Sequence, residues 1–282
     1  MSITPTWEHY GTHDDSAYPE LWDGCIRAWA PCLGPTGAML FDLSGMARHG
    51  LFTNLSAATG WANSIGGYGL SIPHTTGSNA QYVAVADAGG ASITGGLSLC
   101  TVLATVTLIG SPPADYEGVF FEPTVNVGYT RTAIYHRTDN SLVFGCRDTS
   151  MGTLYASTAA SPPIGSPITV AGVWNAVSDF SGLFVNGKLE GSNLDPKGAI
   201  FSGANATNSS LGAYTHSTPS LQHSFPVNIY DIRIYNNALD AQRIGLYNDV
   251  RLGVYSPRRP RRFYSFADVS NRRRRFFLGA AA

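Results

Sequence analysis

At 282 residues, 44% of them hydrophobic and 13% charged, the chain is long enough to bury most of its apolar surface without disulfide or metal staples. Its 31 glycines and 16 prolines suit short strands joined by turns and exclude a mainly helical protein. The net charge of −1 conceals a split: residues 257–282 hold eight arginines against Asp268, a charge of +7, so residues 1–256 carry −8.

Residues 1–24 are polar and acidic (Glu8, Asp14, Asp15, Glu20, Asp23) with scattered aromatics, and read as an extended lead-in that packs on the domain or on a neighbour. They offer neither a basic n-region nor an apolar h-region, so a signal peptide is not expected. No 18-residue apolar run exists, so no membrane-spanning helix is expected.

From about Cys25 short apolar runs alternate with turn residues. Strands are expected at Met39–Leu43, Gln81–Ala86, Leu97–Ile109, Gly118–Phe121, Ala133–Arg137, Leu142–Arg147, Ile168–Trp174, Gly182–Val185, Lys188–Gly191, Ser210–Tyr214 and Val227–Tyr235. This spacing implies a sandwich or barrel. Asn186-Gly187 between Leu183-Phe184-Val185 and Lys188-Leu189 predicts a two-residue type I′ hairpin, because both central residues need positive φ. In Val227–Tyr235 the residues Tyr230, Ile232 and Ile234 alternate with Ile229, Asp231, Arg233 and Tyr235, the period of a half-buried strand. The single helix expected lies near residues 240–249, capped by Asp240, with Leu239 and Ile244 as a hydrophobic staple and Ile244 and Tyr247 towards the sheet.

These fragments resemble a family. Leu183–Leu189 is similar to the hairpin of laminin-G-like, concanavalin A-like domains. Asp231-Ile232-Arg233-Ile234-Tyr235-Asn236-Asn237-Ala238-Leu239-Asp240 is similar to their last strand and capped helix, and Phe41-Asp42-Leu43-Ser44-Gly45 with His49-Gly50 and Thr53-Asn54 to their opening turn. The resemblance implies an all-β, two-sheet antiparallel jelly-roll over residues 25–250, between the lead-in and a C-terminal arm at 251–282. Arg243 departs from it, standing where the family has the glutamate of a capping box. Domains of this kind followed by a basic arm resemble those in structural proteins of tailed bacteriophages.

The glucanase branch of the fold needs paired carboxylates on one strand. The nearest candidate, Asp115-Tyr116-Glu117, follows Ser111-Pro112-Pro113 and reads as solvated loop acids, so no catalytic residue and no enzymatic activity are expected. His9 and His13 read as solvated, with Gly11 between them opposing a helical metal pair, and His49 as a structural hydrogen-bonding residue. His74, His136, His216 and His223 are dispersed. Relatives that hold calcium use Asp, Asn and backbone oxygens; Asp42, Asn54, Asp179 and Asn186 are available, without EF-hand spacing. No other cofactor is implied. Trp29, Trp61 and Trp174 read as core rather than sugar-stacking residues. Cys25, Cys32, Cys100 and Cys146 form no C-x-x-C or zinc pattern and are expected reduced, with Cys25–Cys32 the one pair close enough in sequence to bridge.

The arm contains Arg258, Arg259, Arg261, Arg262 and Phe263, then Arg272, Arg273, Arg274, Arg275, Phe276 and Phe277. Its readings are nucleic-acid binding, a disordered tail, or an anchor to neighbouring subunits, and the anchor is preferred. The expected function is therefore a virion structural or decoration protein, docked to other capsid subunits or to copies of itself. A glycan-binding adhesin comes second and a glycoside hydrolase third.

Overall fold

A computed structural model describes residues 18–64, 67–85, 92–112, 117–124, 130–150, 153–159, 161–195, 198–203, 205, 208–215 and 222–250. In chain order the strands are β1 (Cys25–Trp29), β2 (Met39–Leu40), β3 (Gly50–Thr53), β4 (Trp61–Ser64), β5 (Gly67–Ile72), β6 (Tyr82–Val85), β7 (Leu99–Leu108), β8 (Glu117–Pro123) and β9 (Thr130–His136). They continue with β10 (Leu142–Arg147), β11 (Thr153–Ser157), β12 (Pro167–Asn175), β13 (Phe180–Val185), β14 (Lys188–Asn193), β15 (Ser209–Leu211), β16 (Ala213–Tyr214), β17 (His223–Ser224) and β18 (Val227–Tyr235). Helix α1 (Ala241–Val250) follows.

The first sheet runs β14-β13-β12-β7-β18-β5-β4, with β1 also on β18, and the second runs β11-β10-β9-β8-β15-β6-β3-β2. Their ladders are antiparallel, so the architecture is the expected jelly-roll sandwich with one short helix among the described residues. Val102, Ala104 and Val106 of β7, Ile168 and Val170 of β12 and Ile232 and Ile234 of β18 meet Phe120, Ile134 and Phe144 of the second sheet in the main core. Trp29 and Trp174 lie fully buried there, and Trp61 packs against it half-buried.

Local chemistry places the elements. Asn186 (φ 51°) and Gly187 (φ 81°) make the predicted type I′ turn, and Thr169 N–H donates to Asn186 Oδ1 at 2.9 Å. Asp240 Oδ1 accepts from Arg243 N–H at 2.8 Å at the start of α1, while Leu239, Ile244 and Tyr247 are buried in one cluster. On the flank where β14 and β11 abut, the sheets approach so closely that a Cβ on Gly191 would sit 2.0 Å from Ser157 O.

Four expectations need correction. The expected strand Ser210–Tyr214 is two short strands, split at Gly212 (φ +80°), where a Cβ would meet Ile72 Cδ1 at 2.1 Å. Met39–Leu43 keeps only Met39–Leu40 as strand, because Asp42 is drawn into a turn described below. Glu117 opens β8 instead of lying in a loop; Asp115 lies outside the described residues. Finally, β18 is buried along almost its whole length, on both faces.

That last strand explains much of the rest. A bulge between Ile229 and Asp231 shifts its register against β7, so Val227, Ile229, Ile232 and Ile234 all reach the main core despite their broken period. The extra residue, Tyr230, joins Asp231 on the outer face, where its hydroxyl lies 3.0 Å from Thr107 Oγ1. The bulge is also where β18 changes neighbour: Val227–Ile229 pair with β5 and Ile232–Tyr235 with β1. The outer face of the first sheet is roofed by α1 and by residues 18–22, whose Leu21 and Trp22 bury against Leu103, Ala171, Val173, Phe184, Tyr235 and Tyr247.

Candidate functional site

The acidic side chains are the first place to look for chemistry. Among the described residues Asp42, Glu122, Asp148 and Asp231 are buried, none more than 7% exposed, and each is engaged by partners of its own. Asp42 accepts from the amides of Ala28 (3.1 Å), Ser44 (2.9 Å) and Arg48 (3.1 Å), which pins the opening turn. Its own N–H donates to His49 Nδ1 at 3.1 Å, the structural role expected of His49. Glu122 accepts from Ser92 Oγ (2.7 Å) and from the amides of Ile93 (2.6 Å) and Thr94 (3.0 Å), and pairs with Arg131 at 3.1 Å. Asp148 accepts from Ser150 N–H at 2.9 Å.

Asp231 sits under the roof of the first sheet. Tyr247 donates its hydroxyl to Asp231 Oδ2, and Arg233 Nε pairs with the same oxygen at 3.3 Å. Arg233 also donates to Leu21 O at 3.1 Å and lies 4.4 Å from the Trp22 ring, while Tyr235 donates to Leu21 O at 2.9 Å. Sequestered ion pairs of this kind fix geometry. A polymer cannot reach these carboxylates, so they form no hydrolytic pair.

The calcium candidates are not brought together. Asp42 is held by amides, Asn54 (φ 53°) donates to Ser78 O and Ala80 O, and Asp179 and Asn186 turn the chain at opposite ends of β13. No group of three metal-ligating side chains occurs among the described residues. His74 Nδ1 lies 3.0 Å from Ser224 O. His136 is fully buried with its ring 5.5 Å from that of Phe225, and burial lowers its pKa. His9, His13 and His216 lie outside the described residues. All four cysteines are free; burial foremost pushes the Cys25 thiol up to about 12 and Cys32 higher still, so neither is a reactive thiolate at neutral pH. The arm residues, Arg258 to Phe277, also lie outside the described residues.

What the register does assemble is an aromatic face on the outside of the second sheet. Cross-strand partners share a face, and one row crosses all eight strands: Met39, Leu51, Ala84, Ser210, Phe121, Ala133, Gly145, Tyr155. Around its middle Phe121, Ala133, Tyr135 and Val143 form a separate cluster against which Tyr214 packs. Two edge-to-face pairs stand on it, Phe121–Tyr214 with centroids 4.8 Å apart and Tyr135–Tyr155 at 6.4 Å. Gly145 makes room for the second pair, since a Cβ there would lie 3.1 Å from the Tyr155 ring and 3.4 Å from that of Tyr135. Tyr155 remains 47% exposed, and Tyr214 partly so. Rings with an apolar body and a hydroxyl tip suit a ligand with flat C–H faces and many hydroxyls. Sequence reading missed this face because Phe121, Tyr135, Tyr155 and Tyr214 meet only through pairing; the available signal was Tyr155 beside the small residues Ala156, Ser157 and Thr158.

Comparison with known proteins agrees with this architecture. The family model of the concanavalin A-like lectin/glucanases superfamily matches residues 76–245. A comparison with curated protein sequences finds no match. Among solved structures, a mutant of Trypanosoma rangeli sialidase displaying trans-sialidase activity is similar with a TM-score of 0.57 at 11% identity, covering 83% of this chain and 34% of that one. The binding domain of Paraclostridial Mosquitocidal Protein 1 gives 0.55 at 12% identity, covering 82% and 53%. The binding domain of botulinum neurotoxin serotype D gives 0.55 at 12%, covering 83% and 53%. The chain thus spans about a third of the sialidase and half of each toxin binding domain, and at these identities the likeness is one of fold.

Proposed function

Because this chain belongs to the concanavalin A-like lectin/glucanases superfamily, we propose that it is a non-enzymatic structural or decoration protein of a virion, of the tailed-bacteriophage kind, anchored to neighbouring subunits by its terminal arms. The observation that carries this reading is the composition of the segment after α1. Residues 257–282 set eight arginines beside Phe263, Tyr264, Phe266, Phe276, Phe277 and Leu278. A purely electrostatic tail has no use for large apolar groups, each worth roughly 1.5–3 kcal/mol when buried, and a core element does not carry eight guanidinium groups. An arm that lies between subunits uses both, rings for burial and guanidinium forks for carboxylates. Deleting residues 257–282, with the fold checked by circular dichroism, is expected to abolish incorporation into particles. Normal incorporation defeats the reading. Salt-sensitive DNA binding by the intact chain alone, the signature of counterion release, replaces it with nucleic-acid binding.

The non-enzymatic part rests on Asp42, Glu122, Asp148 and Asp231, each buried and engaged by partners of its own, and on the want of a paired-carboxylate motif in the sequence. Release of reducing sugar from a soluble β-glucan, or of the acid from a sialoside, by the purified chain overturns it.

A glycan-binding role is the second reading, favoured by the Tyr155 and Tyr214 rings on the second sheet. Under it, Tyr155→Ser and Tyr214→Ser each weaken binding on a glycan array by about tenfold, the loss of one stacked ring, while melting temperature falls only as the loss of one aromatic pair of about 0.5–1.5 kcal/mol requires. Equal binding by wild type and both variants removes this reading.

A further inference from the structure

Both terminal segments join the sandwich on one side. Residues 18–23 lie on the outer face of the first sheet beside α1: Arg243 pairs with Asp23 at 3.4 Å, Asn237 Nδ2 donates to Asp23 O at 3.2 Å, and Arg233 and Tyr235 hold Leu21 O. Residue 17 precedes this strap and residue 251 follows α1, so lead-in and arm both start on the roof of the first sheet. The aromatic face belongs to the second sheet, a sandwich thickness away, with sheets about 10 Å apart.

The roof is acidic where it is exposed. Glu20, Asp240 and Asp249 line a groove with Gln242, Arg243 and Leu246, and Asp23 stands exposed beside it. That is four carboxylates to one guanidinium around a half-buried leucine. In sequence, residues 1–24 also hold Glu8, Asp14 and Asp15 and contain no lysine or arginine. The complementary partner is in the same chain: residues 257–282 of the arm, with their +7 charge and their Phe276-Phe277-Leu278 run.

We infer that the groove on the outer surface of α1 is the docking site for the arm of a neighbouring copy, so that copies join through the first-sheet side and turn the aromatic face outward. The inference rests on the anchoring role proposed above and adds where the anchor lands and which way the domain points. Charge complementarity selects the arm. A chain anchored to its neighbours presents its arm to the groove of another copy, and light–heavy cross-links distinguish that from docking on its own helix. Arginine forks suit carboxylates bidentately, and Leu246 offers apolar surface to Phe276 or Phe277.

The test uses the full-length chain with a photo-cross-linking phenylalanine analogue at position 277, mixed with an equal amount of ¹⁵N-labelled chain. Cross-links are expected within peptides covering residues 18–23 or 240–250 and as light–heavy pairs. They are expected to fall about tenfold in Glu20→Gln/Asp240→Asn/Asp249→Asn, as for three partly exposed ion pairs; Asn at 240 keeps the helix cap, and thermal melting checks that the variant is folded. Cross-links on residues 142–157, their absence, light–light pairs only, or indifference to the triple variant each overturn the inference. Incorporation of the arm-deleted chain into particles is read separately: if deletion abolishes it while cross-links avoid α1, anchoring stands and only the landing site is wrong.

Discussion

Several glycines are sites where the two sheets have no space to give. A Cβ on Gly172 would lie 2.0 Å from the Phe144 ring, and one on Gly191 would lie 2.0 Å from Ser157 O, whereas Gly110 has nothing within 4 Å and no positive φ. Gly172→Ala and Gly191→Ala are therefore expected to cost about 1–3 kcal/mol as overpacking, and Gly110→Ala to be neutral or to stabilise by about 0.4–1 kcal/mol. Melting temperatures of the three variants decide it. His136 makes a second prediction. Burial lowers its folded-state pKa below the ordinary 6.5, and burial first, then the nearby His74, lower that of His223. Below about pH 6.5 the unfolded chain binds protons that the folded chain resists. Stability should hold above that pH and fall as the pH drops through it, and His136→Gln should flatten the fall. Denaturant midpoints at pH 7.5 and 5.5 measure both. Sequence showed His136 only as one of several dispersed histidines; whether a core would enclose it depended on the phase of β9.

At the scale of elements, local chemistry was legible wherever it was self-contained. Asn186-Gly187 needs nothing beyond its own backbone to announce a turn, and Asp240 needs only the amides after it. Asp240→Ala should cost about 1 kcal/mol, seen as a lower melting temperature, and Asp240→Asn almost nothing. Arg243, out of pattern for a capping box, instead reaches Asp23 across 3.4 Å, a contact with the strap at residues 18–23 that no local rule anticipates. The strands β1, β4, β5 and β11 were missed because Cys-Ile-Arg-Ala-Trp, Trp-Ala-Asn-Ser, Gly-Tyr-Gly-Leu-Ser-Ile and Thr-Leu-Tyr-Ala-Ser lack β-branched runs, and partners rather than propensity hold them in place. The alternation read in β18 failed at one residue, since a bulge leaves no mark in composition.

For the molecule as a whole, the sandwich could be expected from the order of three fragments, but its polarity could not. The terminal strap, the roof of α1 and the aromatic face are spread from Tyr18 to Val250, and only the pairing of distant strands decides which share a side. The bulge in β18 has a consequence for how such a chain comes into being. Its upper half is the hydrogen-bonding partner of β1, with Cys25 opposite Tyr235, a closure across about 210 residues, and contacts of such long range form slowly. During synthesis β1 emerges early and has only the bridge of Trp29 to Asp42 to hold it until β18 has left the ribosome, so the first strand made is among the last to gain its full ladder. Pulse-labelled hydrogen exchange during refolding should find the amides of Cys25–Trp29 gaining protection after those of β12 and β13, whose hairpin closes locally. The strap at residues 18–23, held by Arg233 and Tyr235 of β18, then behaves as a completion mark: it settles only on a sandwich that is already whole, and a surface that includes it exists only on finished molecules.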